Sequence, residues 1–440
     1  MRRWSSVRES WATAATTLRH SPGLARLTAV RFASQFGDGL FQAALGGAIL
    51  FNPERRTEPL AIAAGFAVLL LPYSVLGPFA GALLDRWDRR AVLLWANLLR
   101  GSLILVIAVL LLSGAGETPL LILALATIGV SRFVLAGVSA SLPHVVRQSW
   151  LVPTNSVLAT AASVFSALGA GTAVAIIGAV GEGDLGSGVA VAAGAVGSVV
   201  AAWAVSGFAL HALGPAEPDG PAEPDVGGPG TPGTVAAVLA GLRTGATAVW
   251  AAPGVTTAML GIGAHRVVFG INTLLMVLIL RDPASGSALP GGLAGFGVAV
   301  GATAAGMLVA ALATPWLIPR LDRPRTVTVA LGFATVVQAT LIASLSQPLL
   351  LVGAFLLGFA GQTVKLTGDA AMQIEIDDDR RGQVFALQDT VFNIAFCASL
   401  AAAATVVAPD GHSLGLVLAG AGVYALGLTA IALNSRRTTR

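Results

Sequence analysis

Apolar residues recur along the chain in runs of about 20 or more, each long enough to cross a hydrocarbon layer about 30 Å thick at 1.5 Å per helical residue. Short stretches holding most of the arginines separate them. The pattern predicts helices over 24–51, 60–84, 91–113, 119–142, 153–180, 187–211, 254–281, 290–317, 325–345, 348–372, 380–407 and 413–434. That is an all-α membrane protein of twelve transmembrane helices. The first run is too long for the apolar segment of a signal peptide, and no small-residue cleavage site closes it, so it reads as a retained helix.

Between the sixth and seventh runs, the acidic repeat beginning at Gly214-Pro215-Ala216-Glu217-Pro218-Asp219 is rich in proline and glycine and predicts a disordered linker. Trp4, Val7, Trp11, Ala15 and Leu18 precede the first run at helical spacing, and Val235, Val238, Leu242, Val249 and Trp250 precede the seventh. Both stretches are expected to lie at the cytoplasmic interface. The halves match at a nearly fixed offset: Pro22-Gly23 with Pro253-Gly254, Phe36-Gly37 with Phe269-Gly270, and Arg86-Trp87-Asp88-Arg89-Arg90 with Arg320-Leu321-Asp322-Arg323-Pro324. Such repetition predicts two pseudo-symmetric six-helix bundles. The expected organisation is an amphipathic segment over 1–23, a bundle over 24–211, a linker with an amphipathic helix over 212–253, a second bundle over 254–434 and a tail over 435–440.

Composition agrees: 55% of residues are hydrophobic and 11% charged, against roughly 25% charged in a soluble domain. Mean hydropathy is +0.80. The net charge of +4 does not imply a nucleic-acid partner, because the arginines cluster between apolar runs rather than on one basic face. Alternate loops hold Arg86, Arg89, Arg90, Arg147, Arg243, Arg320, Arg323, Arg325, Arg380 and Arg381, while the opposite loops show only Arg55, Arg56 and Arg281. The positive-inside rule then places both termini in the cytoplasm of a multi-pass inner-membrane protein. Cys397 is the only cysteine, so an intrachain disulfide is ruled out. The histidines His20, His144, His211, His265 and His412 are scattered, and neither a phosphate-binding Gly-x4-Gly-Lys-Ser/Thr loop nor a zinc-binding His-Glu-x2-His string occurs. No metal, no cofactor and no enzymatic activity are expected.

At the end of the second run, Gly81-Ala82-Leu83-Leu84-Asp85-Arg86-Trp87-Asp88-Arg89-Arg90 resembles the loop motif of the major facilitator superfamily, with Asp88 where many members have glycine. That variant, with Leu98-Leu99-Arg100-Gly101, Leu142-Pro143, Asn155 and Arg381-Gly382-Gln383-Val384-Phe385, is similar to the branch of macrolide, siderophore and lysophospholipid exporters. The resemblance implies transport by alternating access, with Gly81, Asp85, Arg86, Arg89 and Arg90 forming a gating loop. Asp85 would meet the start of the eleventh helix near Arg380 to Gly382 and lock the outward-facing state. The second-half copy is degenerate, with Pro315 and Trp316 near the position of Gly81.

Charges inside a span cost roughly 2.5–3.5 kcal/mol each on insertion scales, so they pair or line wet cavities. Arg31, Gln35 and Asp38 share one face of the first helix at i, i+4 and i+7. Asp38 with Arg31 is therefore the candidate proton-coupling site, and a permanent ion pair that only holds the bundle together is its structural alternative. Lys365, the only lysine, stands one turn before Asp369. These two, with Gln35, Arg132, Arg266 and Asn272, are the candidate substrate-cavity residues, His265 adding to the polar patch around Arg266; Arg100 reads as a structural anchor. Arg31, Arg100, Arg132, Arg266 and Lys365 outnumber Asp38, Asp369 and Asp389, an excess suited to an amphiphile with a phosphate or carboxylate.

The leading expectation is a proton-coupled exporter of a hydrophobic or amphipathic small molecule. Flipping of a lysophospholipid is the variant within transport, and a non-transporting receptor or scaffold the alternative outside it. The expected partners are protons, a small amphipathic or lipid-like substrate and the bilayer, with no nucleic acid, for a monomer.

Overall fold

Helices form where the apolar runs lie, and their ends are set by local signals. The computed structural model describes residues 22–52, 58–70, 87–147, 150–214, 234–281 and 291–438. The helices are α1 (Pro22–Leu50), α2 (Pro59–Leu70), α3 (Arg89–Leu112), α4 (Glu117–Ser141), α5 (Leu151–Val180) and α6 (Asp184–Ser206), then α7 (Thr234–Ala251). After these come α8 (Pro253–Arg281), α9 (Gly292–Leu321), α10 (Arg323–Thr340), α11 (Gln347–Glu375), α12 (Asp378–Ala404) and α13 (Leu414–Thr438). Ten of them, α3–α6 and α8–α13, are long and apolar enough to cross a membrane. α1 is equally long but carries Arg26, Arg31, Gln35 and Asp38, and much of it is buried by its neighbours.

Two short repeats noted in the sequence prove to be helix starts. Asp88 caps α3, its carboxylate accepting from the Arg90 amide at 3.0 Å, and Asp322 caps α10 by accepting from the Arg325 amide at 2.9 Å. An aspartate at this position satisfies a backbone N–H that the helix leaves open and meets the positive end of the helix dipole. That gives a physical reason for Asp88 in the loop motif. Pro22 and Pro253 open α1 and α8, where the missing N–H costs nothing.

The chain forms two compact units, Met1–Arg56 with Val75–Thr231 and Thr57–Ser74 with Pro232–Arg440. α2 thus falls in the second unit, where Phe66 meets Phe396 of α12 edge to face at 5.9 Å, although sequence order alone puts it with the first bundle. Each unit is otherwise built alike. α1 packs against α5 and α6, and α3 against α6; α8 packs against α12 and α13, and α10 against α13.

Small residues permit these approaches, because apolar side chains gain little by leaving lipid and helices associate through close backbone packing. Gly37 of α1 faces Gly194 and Gly197 of α6, and a Cβ on Gly37 would stand 2.9 Å from the Gly194 carbonyl oxygen. On the other side of α1, Gly39 meets the Ser166 backbone and Gly169 of α5 meets the Phe36 carbonyl. In the second unit Gly270 occupies the corresponding place, where a Cβ would lie 2.6 Å from the Phe396 carbonyl oxygen.

α7 is the amphipathic stretch expected before the seventh run. It packs on α12 rather than lying free: Gly245 faces the Gln383 backbone, and Ala248 and Ala252 share a buried cluster with Val255, Met372, Ile376 and Val384. Its exposed Trp250 lies under the Arg437 guanidinium, 3.8 Å from the ring centre. The amphipathic stretch before α1 and the acidic repeat lie outside the described residues.

The glycine contacts give a paired prediction. Gly169→Ala should destabilise by about 1–3 kcal/mol, because its methyl group meets the Phe36 backbone. Gly171→Ala, two residues on with nothing within 4 Å of the new methyl, should be neutral or stabilise by up to about 1 kcal/mol through helix propensity. Thermal unfolding of the two variants in the same detergent checks the contrast.

Candidate functional site

The middle of the first unit holds a polar network in apolar surroundings. Asp38 projects from the centre of α1 and meets Arg100, from the centre of α3, with Nη1 to Oδ1 at 3.2 Å. Ser131 of α4 donates to the same oxygen at 2.7 Å. Arg100 spends its other donors on Ser198 Oγ of α6, through Nε at 2.9 Å, and on Asn97 Oδ1, through Nη2 at 3.0 Å. Asn97 also accepts from Ser34 at 3.4 Å and donates to the Leu93 carbonyl at 2.7 Å. Arg100 is 0% exposed and Asp38 6%. The network ties α1, α3, α4 and α6 together.

Helical spacing alone pairs Asp38 with Arg31, but the structure joins Asp38 to Arg100. Seven residues advance an α-helix by about 10 Å, which separates the two α1 side chains, whereas Arg100 approaches Asp38 directly from α3. Arg31 instead donates to Ser139 at 3.5 Å, and its Nε is buried without a hydrogen-bond partner. Arg132 of α4 adds positive charge within electrostatic reach of Asp38. Arg31, Ser34, Gln35 and Asp38 of α1 and Ser131 of α4 line a cavity of about 10 Å³ closed by Val134, Leu135 and Val138.

The second unit handles its polar residues differently. Lys365 donates to Asp369 Oδ2 at 2.7 Å, and Gln388 of α12 reaches Asp369 Oδ1 at 3.4 Å. Asp389 of α12 lies within electrostatic reach of Lys365 and of Arg266 from α8. His265 shares a 2.9 Å hydrogen bond with the fully buried Tyr424 of α13. Asn272 of α8 forms a reciprocal amide pair with Gln338 of α10 at 2.8 and 3.0 Å. Lys365, Asp369 and Arg266 are thus gathered in one charged neighbourhood, while Asn272 belongs to a neutral one.

Arg89 and Arg90 of the loop motif fasten helix ends. Arg89 donates to the Ala140 carbonyl at 3.0 Å, and Arg90 to the carbonyls of Phe208 at 3.1 Å and Ser206 at 3.4 Å. These are the C-terminal ends of α4 and α6, where cations are favoured. Gly81, Asp85 and Arg86 lie outside the described residues. Sequence reasoning did not assign Asn97, Ser131, Ser198, Gln338, Gln388 or Tyr424. Asn97 and Arg100, one turn apart within an apolar helix, were the readable signal for the first group. Among the described residues no cluster could hold a metal ion.

Comparison with known proteins agrees with this architecture. Solved structures with the same fold include the nucleoside transporter NupG, at a TM-score of 0.65 and 14% identity over 93% of this chain and 98% of that one. The peptide-transporter family member PepTSo matches at a TM-score of 0.65 and 14% identity over 94% and 97%. A bacterial homologue of the iron transporter ferroportin, in its inward-facing state, matches at 0.62 and 16% over 96% and 99%. At such identities the likeness is one of fold. In sequence, a protein of Mycobacterium tuberculosis named as an uncharacterized MFS-type transporter is 43% identical over 422 residues, covering 96% of this chain and 93% of its own length. A Mycobacterium bovis protein of the same description matches equally. The Major Facilitator Superfamily model matches residues 27–400, and the chain belongs to that superfamily of membrane transporters.

Proposed function

We propose that this transporter is a proton-coupled exporter of a hydrophobic or amphipathic small molecule, working by alternating access with Asp38 as the group that takes up and releases the proton. The observation that carries this reading is the buried Asp38 carboxylate, held at the centre of α1 by donors from α3 and α4. Protonation removes the charge that Arg100 balances and weakens both hydrogen bonds, so it loosens α1 from α3 and α4. Proton occupancy and helix arrangement are thereby coupled. The half-buried Lys365–Asp369 pair, with Arg266 and Asp389 nearby, is the proposed polar contact for substrate in the second unit. Export is the direction implied by the loop-motif resemblance, and the arginine-rich loops support an inner-membrane orientation with both termini in the cytoplasm. No chemical conversion of the substrate is part of this reading.

Lysophospholipid flipping is a second reading, favoured by a specific feature of the first unit. The described residues of α3 and α4, with Trp87 and Asp88, leave an open groove of about 1220 Å³ lined by apolar residues including Trp95, Leu99, Ile122, Leu125 and Phe133. Among the described residues, Asp88 is its only charged lining residue. Such a groove suits an acyl chain.

Proteoliposomes loaded with a lipophilic fluorescent dye test the proton coupling. An imposed pH gradient should accelerate dye movement through the native chain, and Asp38→Asn should lower that rate at least about tenfold, equivalent to ~1.4 kcal/mol of barrier. Movement of a labelled lysophospholipid that ignores the gradient would favour flipping.

The ion pair makes a separate prediction about stability. Arg100→Met leaves a buried carboxylate without its cation and should cost about 3–5 kcal/mol, whereas Arg100→Met combined with Asp38→Asn should recover most of the loss. Unfolding of the single and double variants in detergent measures the non-additivity.

A further inference from the structure

The contact between α7 and the end of α13 holds a cation that has no counter-ion. Arg437, in the last turn of α13, lies over the Trp250 ring of α7, 3.8 Å from its centre. Both side chains are exposed, Trp250 to 64%. Neither α7 nor α13 carries an acidic residue, and among the described residues Arg437 makes no hydrogen bond and no ion pair. Several other helix-end arginines are engaged locally: Arg89 and Arg90 bond helix-end carbonyls, Arg320 bonds the Trp316 carbonyl of its own helix, and Arg325 pairs with Asp322.

The stack leaves Arg437 ready for an anion. An indole covers one flat side of the guanidinium and leaves the in-plane N–H edge open, and that edge matches two oxygens of a phosphate. Compensation of the helix dipole alone would put the guanidinium on the last carbonyls of α13 rather than on a ring of another helix. Leu433 and Leu426, four and eleven residues before Arg437, share its exposed face of α13 at 57% and 71% exposure. This apolar stripe runs about 16 Å from the cation into the span. On α7, Arg243 and Trp250 are seven residues apart on the exposed face, opposite the Gly245, Ala248 and Ala252 side that docks the helix.

We propose that Trp250 and Arg437 form a binding site for an anionic phospholipid of the leaflet on the side of the C-terminus. The Arg437 guanidinium holds the phosphate, and an acyl chain lies along Leu433 and Leu426. Arg243, about 10 Å along α7 from Trp250, adds positive charge that attracts an anionic membrane surface. A cation at the head of an apolar stripe is complementary to a lipid, whereas a soluble phosphate makes no use of the stripe. With no carboxylate on either helix to receive an ammonium group, the headgroup that fits carries net negative charge. The bound lipid joins α7 to the last span, and α7 in turn rests on α12. This site lies within the second unit and is independent of proton coupling at Asp38.

Thermal unfolding of the full chain in detergent, with phosphatidylglycerol, phosphatidylcholine or inorganic phosphate added, tests the site. Phosphatidylglycerol should raise the unfolding temperature to a plateau, and the other two should not at the same concentration. Arg437→Gln should unfold as the native chain does without lipid, yet need about fivefold more phosphatidylglycerol for half the effect. Trp250→Leu keeps the cation but removes the stacking ring; it should move the half-point the same way, and Trp250→Phe should restore most of it. A native response to phosphatidylglycerol in Arg437→Gln or in Trp250→Leu overturns the proposal. So does an equal response of the native chain to phosphatidylcholine, which marks a general lipid effect, or to inorganic phosphate, which marks an anion site without a lipid.

Discussion

The structure of the first unit turns on placing a carboxylate and a guanidinium together at the centre of a helical bundle. Removing two such charges from water costs several kcal/mol each, and their attraction offsets this only when the remaining donors and acceptors are satisfied. Ser131, Ser198 and Asn97 supply those bonds, from α4, α6 and α3. Three helices must therefore approach α1 closely, and the glycines Gly37, Gly194 and Gly197 let α6 do so. A buried pair adds little stability compared with apolar packing of equal volume. Its distinguishing property is sensitivity, since one proton changes the balance of the whole network.

Much of the fold was legible because each expected span in the described residues coincides with a helix, and the cap residues Asp88 and Asp322 occur in the repeat that the sequence displays. Hydropathy records what one helix presents to its surroundings, and twelve such records are nearly independent. Partnership between helices is a different kind of information. Periodicity put Arg31 on the face of Asp38 but could not show that Arg100, 62 residues away, reaches the carboxylate first. The same limit hid the grouping of α2 with the second unit and the docking of α7 on α12, which depends on the Gly245 contact with Gln383.

The site residues divide along the same line. Asp38 and Lys365 stood out because an ionisable group inside an apolar run is costly and needs a reason. Ser131, Ser198 and Gln388 did not, because a serine or glutamine in a helix can bond its own backbone or a neighbour, and only the neighbour's position decides. Ser102 and Ser139 illustrate the local choice, each donating to the carbonyl four residues earlier. Ser131 and Ser198 serve the ion pair instead.

The two units repeat one packing scheme with different chemistry, and the difference bears on where a proton can act. In the first, α1 is tied to α3 through Asp38 and Arg100; in the second, α8 is tied to α10 through Asn272 and Gln338, close to the corresponding glycines Gly37 and Gly270. An amide pair joins helices as well as an ion pair does, with two hydrogen bonds and no desolvated charge, but it does not titrate near neutral pH. Had the tie served cohesion alone, the neutral version would suffice in both places at lower cost. Under the proposed function, the charged tie between α1 and α3 is the proton-responsive joint, and its counterpart between α8 and α10 is neutral. In the second unit, Lys365, Asp369, Arg266 and Asp389 are the ionisable groups that the proposed function offers to substrate, and none of them is a partner in the Asn272–Gln338 pair that joins α8 to α10.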